Sequence, residues 1–221
     1  VFTGQQVTEA MGLAPNVLPM FPAEMRRPYV AGDVVRYVGQ PVVAILAESR
    51  AQAADATELV VVGYDELPLA LDVETAARDE VVLFPDHGTN VVNTLRSDHQ
   101  ADFSACEVVV EERIVNQRLT GAPIEPRAGA AWWTDDGRLV HYSACQGAHP
   151  TRDLLATIYG LEPDQVRVVV PQVGGGFGAK SRTYPEELVL GWYARQLGRP
   201  VRWTETRSEN IAAMPQGRGQ V

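Results

Sequence analysis

The chain has 221 residues, 45% of them hydrophobic, with 19 Lys and Arg against 28 Asp and Glu for a formal net charge of -9. That length and apolar content suffice for one large or two ordinary domains, and the acidic balance has the wrong sign for a nucleic-acid backbone. No run approaches the roughly 18 to 20 apolar residues that a membrane-crossing helix needs, so no span is expected.

The chain opens on Val1-Phe2-Thr3-Gly4 as if in mid-strand and stops at Gln220-Val221 without a closing element, so both ends read as cut. From Asp33 to Asp72 the pattern predicts strand, helix, strand. Pro41 to Leu46 is a short apolar run suited to a buried strand. Ser49 with Gln52 fits a capping box for an Ala-rich helix reaching about Leu59, and Val60-Val61-Val62 supplies a second β-branched run. Pro68 and the polar, acidic stretch to Asp86 lead out of this unit, which places a domain boundary between Asp72 and Asp98.

From Cys106 the strand pattern restarts with Val108-Val109-Val110 and Ile114-Val115, followed by a loop around Ala122 to Pro126. Ala130 to Trp133 and Leu139 to Tyr142 then predict a hairpin closed by Asp135-Asp136-Gly137. Pro150 is suited to the first position of a helix that carries Leu154, Leu155 and Ile158 and stops at Gly160. A strand from Val166 to Val170 follows. Pro185 opens a second helix with Leu188, Val189, Trp192 and Leu197 inward, ended by Gly198, and Val201 to Trp203 is the next strand. The expected class is α+β, or mixed α/β.

Cys106 and Cys145 have no CxxC partner and read as ordinary buried or half-buried thiols, and His87, His99, His141 and His149 lack metal-ligand spacing. The strongest local feature is Val173 to Lys180, with four glycines at 174, 175, 176 and 178. Without Cβ atoms those amides can approach an anion closely, although a tight structural turn would look the same. Gly174-x-Gly176-x-x-Ala179 also satisfies a dinucleotide fingerprint, with Glu205 as its ribose-binding acid, which would make the chain a Rossmann dehydrogenase. Against that, Pro185 falls where the interior of the fingerprint helix should be.

Gln146, in Cys145-Gln146-Gly147, could donate an amide hydrogen bond to an oxo ligand or simply bond to its own loop. Asn116-Gln117-Arg118 and Glu125-Pro126-Arg127 could form an ion-paired loop of one acid and two arginines. By their chemistry alone these residues indicate an anion-cradling loop and leave the reaction open.

In order, Arg36-Tyr37-Val38-Gly39-Gln40-Pro41-Val42, Asn116-Gln117-Arg118, Glu125-Pro126-Arg127, Cys145-Gln146, Gly174 to Lys180, Tyr184-Pro185-Glu186-Glu187 and Gly198-Arg199-Pro200-Val201 resemble the molybdopterin-binding large subunit of the xanthine dehydrogenase, aldehyde oxidase and carbon monoxide dehydrogenase family. The resemblance implies a partial α/β hammerhead domain over residues 1–75, a linker over 76–97, and the start of a molybdopterin-binding domain over 98–221. It implies that Gln146, Gly175, Gly176, Phe177 and Gly178 bind the cofactor, with Gln146 and Phe177 nearest the molybdenum.

It further implies a molybdenum hydroxylase that takes oxygen from water, with a molybdopterin of the cytosine dinucleotide form. Electrons would leave through [2Fe-2S] clusters on a small subunit to FAD on a medium subunit, in a cytoplasmic dimer of heterotrimers. The general-base Glu is expected beyond Val221, so no catalytic residue is expected within this chain and it should not turn over alone. Purine-oxidising members carry a Glu directly after the motif's Lys; here Ser181 stands there, which favours an aldehyde, an N-heterocycle or carbon monoxide as substrate. A non-catalytic split subunit that completes another chain's cofactor pocket is the remaining alternative.

Overall fold

A computed structural model describes residues 1–16, 18, 20–98 and 101–221, so His99 lies outside the described residues. In chain order the elements are β1 (Phe2–Thr3), α1 (Gly4–Met11), β2 (Val43–Ala44), α2 (Arg50–Thr57), α3 (Val73–Ala76), β3 (Ala128–Trp133), β4 (Leu139–Ser143), α4 (Ala148–Tyr159), β5 (Val166–Val169), α5 (Pro185–Leu188), α6 (Leu190–Leu197), β6 (Val201–Thr204) and α7 (Arg207–Ala213). Two compact units share them: residues 1–15, 26–65 and 120–215 form one, and residues 16–25, 66–119 and 216–221 the other.

The first unit is built on a four-stranded sheet in the order β5-β4-β3-β6. The predicted hairpin forms, with Ala131 opposite His141 and Trp133 opposite Leu139. β5 joins β4 in parallel, so β4-α4-β5 is a crossover unit, while β6 adds antiparallel to β3. Mixed α/β is therefore the observed class. The core gathers Leu139, Leu155, Val166, Leu188, Val189, Leu190 and Tyr193 with Val7, Tyr29 and Val30.

α4 starts at Ala148, two residues before the expected Pro150, and both α4 and α6 stop at glycines in the left-handed conformation, Gly160 and Gly198. Pro150 is harmless there because first-turn amides have no intrahelical acceptor. Leu197 is exposed rather than inward, and Tyr193 and Ala194 fill the buried face instead. At α2 the capping box is half made: Ser49 Oγ accepts from Gln52 N at 3.3 Å, but the Gln52 carboxamide takes the Ser49 hydroxyl at 3.0 Å rather than its backbone amide.

Three expected strands do not form. Only Val43–Ala44 of the Pro41 to Leu46 run is strand, paired with β1. Val60 to Val62, Val108 to Val110 and Ile114-Val115 have no strand partner among the described residues, and Val61 is 94% exposed. A β-branched run makes a strand only where a neighbour offers a ladder. Three helices escaped the sequence reading, α1, α3 and α7. α1 and α7 each begin with a capping box, Thr3 with Gln6 and Thr206 with Glu209, a signal that was present in the sequence.

The second unit is loop-rich. Asp72 caps α3 through the amides of Glu74 and Thr75, and Asn90 ties the following loop by donating to Ala76 O and Val81 O at 3.0 and 2.7 Å. Single bridges join Asn116 to Gln220 and Leu119 to Gly217. Cys106 is exposed, contrary to the expected buried thiol, whereas Cys145 in the first unit is buried; neither forms a disulfide.

Candidate functional site

The glycine loop leaves β5, runs from Val173 to Lys180 and ends well before α5, so no helix begins inside it. A dinucleotide fingerprint needs a helix N-terminus at the pyrophosphate, and none is there. Glu205 is also committed. Its carboxylate accepts from Arg127 N at 2.5 Å and Arg127 Nε at 2.7 Å, and from Asn210 Nδ2. The Rossmann reading is therefore overturned by the local geometry.

The loop is shaped by two close approaches. A Cβ on Gly176 would fall 2.4 Å from Gln146 Oε1, and one on Gly174 would fall 2.6 Å from Glu125 Cβ, so a side chain at either position would displace its neighbour. Phe177 is 77% exposed and sits at φ 53°, a conformation that a non-glycine residue adopts only under constraint from its surroundings.

Gln146 follows β4 and reaches the loop. Its Oε1 accepts from Gly178 N at 3.0 Å and Lys180 N at 3.1 Å, and its own N–H donates to Lys180 O at 2.8 Å. Two backbone donors on one side fix which end of the carboxamide is oxygen. The Nε2 group is thereby the outward-facing donor and has no acceptor among the described residues. The amides of Gly175, Gly176 and Phe177 likewise have none. Three successive free N–H groups beside a free carboxamide donor make a set suited to an anionic oxo and pterin group. Of the four loop residues singled out for the cofactor, Gly178 has its amide occupied, by Gln146 Oε1, while those of Gly175, Gly176 and Phe177 have no acceptor among the described residues.

The third sequence cluster does not pair as expected. Glu125 binds Lys180 Nζ at 2.7 Å, while Arg127 binds Glu205 and reaches Glu186 at 3.0 Å. Sequence reasoning missed Lys180 and Glu125 as partners because a separation of 55 residues hides a contact that only folding creates. Behind them, Tyr184 stacks under the Arg127 guanidinium at 4.0 Å and donates its hydroxyl to Ala179 O, the first carbonyl after Gly178. Burial, partly offset by the Ser143 hydroxyl at 2.6 Å, pushes the Glu187 carboxyl up to about 7, and burial holds His141 down to about 4. Among the described residues, no group of three His, Cys, Asp or Glu could hold a metal ion through side chains.

The family model for the molybdopterin cofactor-binding domain matches residues 83–221, more than half of the chain. The chain belongs to that family. The aldehyde oxidase and xanthine dehydrogenase a/b hammerhead domain matches residues 1–68 of this molybdopterin-domain protein. It is 36% identical over 200 residues to subunit gamma of the 6-hydroxypseudooxynicotine dehydrogenase complex of Paenarthrobacter nicotinovorans, covering 90% of this chain and 25% of that protein. The carbon monoxide dehydrogenase large chain of Hydrogenophaga pseudoflava is 32% identical, over 84% of this chain and 26% of that one. The crystal structure of quinoline 2-oxidoreductase from Pseudomonas putida 86 superimposes with a TM-score of 0.88 at 32% identity, over 98% of this chain and 28% of that one. The chain thus spans about a quarter of the length of the relatives it matches. Those relatives include subunits of multi-subunit complexes, and no helix among the described residues is long and apolar enough to cross a membrane.

Proposed function

We propose that this chain supplies one wall of the molybdenum site in a molybdenum hydroxylase that oxidises an N-heterocycle, an aldehyde or carbon monoxide with water as the oxygen source. The observation that carries the reading is the carboxamide of Gln146, locked at Oε1 by Gly178 N and Lys180 N and presenting Nε2 beside the free amides of Gly175, Gly176 and Phe177. When bound, the cofactor supplies a two-electron redox centre at which oxygen from water is transferred to the substrate.

Gln146 would donate its Nε2 hydrogen to an oxo ligand of the metal, and the glycine-loop amides would lie against the metal and pterin. Phe177, itself exposed, would close the apolar side of that site and limit water. The general base belongs to a segment outside this chain. N-heterocycles come first among substrates because relatives named for nicotine and quinoline chemistry match at 37% and 32% identity. Ser181 agrees with that preference, since its hydroxyl donates back to Gly178 O at 2.6 Å and offers a substrate no carboxylate.

The finer assignments are a cytosine dinucleotide form of the pterin, [2Fe-2S] clusters on a small subunit, FAD on a medium subunit, and a cytoplasmic dimer of heterotrimers. The proposed division is hammerhead over 1–75, linker over 76–97 and molybdopterin-binding from 98 on; family matches over 1–68 and 83–221 support the order of the two domains, the second match beginning inside the proposed linker. Elemental analysis and nucleotide release on the native complex test the reading. About one molybdenum per large subunit is expected, and an active, assembled complex free of molybdenum would overturn it.

A further inference from the structure

We propose that Glu125 and Lys180 form a half-buried clasp that closes the two ends of the glycine loop on each other and so sets the direction in which Gln146 presents its Nε2 donor. One carboxylate oxygen, Glu125 Oε2, accepts from Gly174 N at 2.9 Å and from Lys180 Nζ at 2.7 Å. Lys180 Nζ also donates to Glu125 O at 2.9 Å, and Glu125 N to Gly174 O at 3.2 Å. The first and last residues of the loop's turn are thus tied to one residue of a different segment, the loop that precedes β3.

Lys180 then hands the constraint on. Its backbone amide donates to Gln146 Oε1 at 3.1 Å and its carbonyl accepts from Gln146 N at 2.8 Å. The lysine side chain is 1% exposed while that of Glu125 is 32% exposed, so the ammonium is out of water and held by a carboxylate that still touches it. A buried lysine with one carboxylate and one carbonyl as its acceptors has no competing position to relax into, which suits a fixed strut better than a mobile ligand-binding cation. Glu125 and Lys180 are positioning residues, acting through Gly174 and Gln146 rather than on the substrate.

The inference rests on the proposed role of Gln146, yet it can fail separately. In the complete complex, Glu125→Gln, Lys180→Met and the double variant should each keep the wild-type molybdenum and pterin content. Hydrogen exchange of the amides at 178 and 180 should accelerate about tenfold or more, as expected when a charge-assisted hydrogen bond is lost. Turnover should fall about tenfold in kcat with KM changed less than twofold, and the double variant should be no worse than the poorer single one.

Glu125→Gln retains an acceptor for Gly174 and so serves if Lys180→Met does not fold. Wild-type exchange at the amides of 178 and 180 in Glu125→Gln would overturn the clasp, whatever the complex's activity. Faster exchange with an unchanged kcat would overturn the link from the clasp to Gln146. Absence of molybdenum from the wild-type complex would refute the functional reading and leave the exchange result to judge the clasp on its own.

Discussion

Two ion pairs lie a short stretch of chain apart and are built for different tasks. Arg127 and Glu205 are 1% and 0% exposed and tie the start of β3 to the end of β6, where Glu205 N also donates to Arg127 O at 3.1 Å. Their surroundings are aromatic, with Tyr184 and Trp203 rings 4.0 and 5.4 Å from the guanidinium. Lys180 and Glu125 instead bracket a loop in which the amides of Gly175, Gly176 and Phe177 have no acceptor among the described residues. The first pair braces paired strands; the second leaves a surface open and holds its edges. A buried ion pair therefore says little by itself, and what it is tied to identifies its role.

The largest effect that would sharpen this contrast is expected from Arg127→Ala. It leaves Glu205 buried without its cation, which should cost about 3–5 kcal/mol of stability, read as a drop in Tm and loss of assembled complex. A variant that assembled with an unchanged Tm would mean that the sheet does not need the pair.

Gln146→Ala should behave in the opposite way. Assembly and Tm stay near wild type while turnover drops about tenfold to a hundredfold, the range for removing one oriented donor from a reacting centre. Unchanged kcat would remove Gln146 from the cofactor's surroundings. Gly176→Ala should come next, because its methyl would displace Gln146 Oε1; a loss of about tenfold in kcat is expected. Gly178→Ala, at φ 82° but with open space around its Cβ, should cost only about 1 kcal/mol of backbone strain.

The smallest effect concerns pH. Glu187 is raised from 4.5 to about 7, so the folded state holds its proton more tightly and stability falls as pH rises from about 4.5 to about 7. His141 is lowered from 6.5 to about 4, so its contribution is lost as pH falls from about 6.5 to about 4. The two slopes oppose each other over most of that window, and the native protein should show a shallow profile. Glu187→Gln should unmask the His141 slope, with stability rising from pH 4 to 6.5 in denaturation curves; an unchanged profile would mean that Glu187 is ionised when folded.

The sequence by itself determined the hairpin from Ala130 to Tyr142, the stops at Gly160 and Gly198, the helix opening at Pro185 and the glycine loop, because each rests on residues adjacent in the chain. Periodicity, a proline's fixed φ and a glycine's freedom act locally, so they can be read locally. The capping boxes of α1 and α7 were legible on the same terms and went unread. The fate of the valine runs at 60–62 and 108–110 was decided elsewhere, since strand formation depends on a partner that the run does not contain. The same holds for Glu205, which looked free to bind a ribose until the β3–β6 pairing set Arg127 against it. Only the tertiary structure joined Glu125 to Lys180 and turned Gln146 so that its oxygen is spent and its nitrogen is free, because each of those contacts spans residues that the chain brings together only by folding.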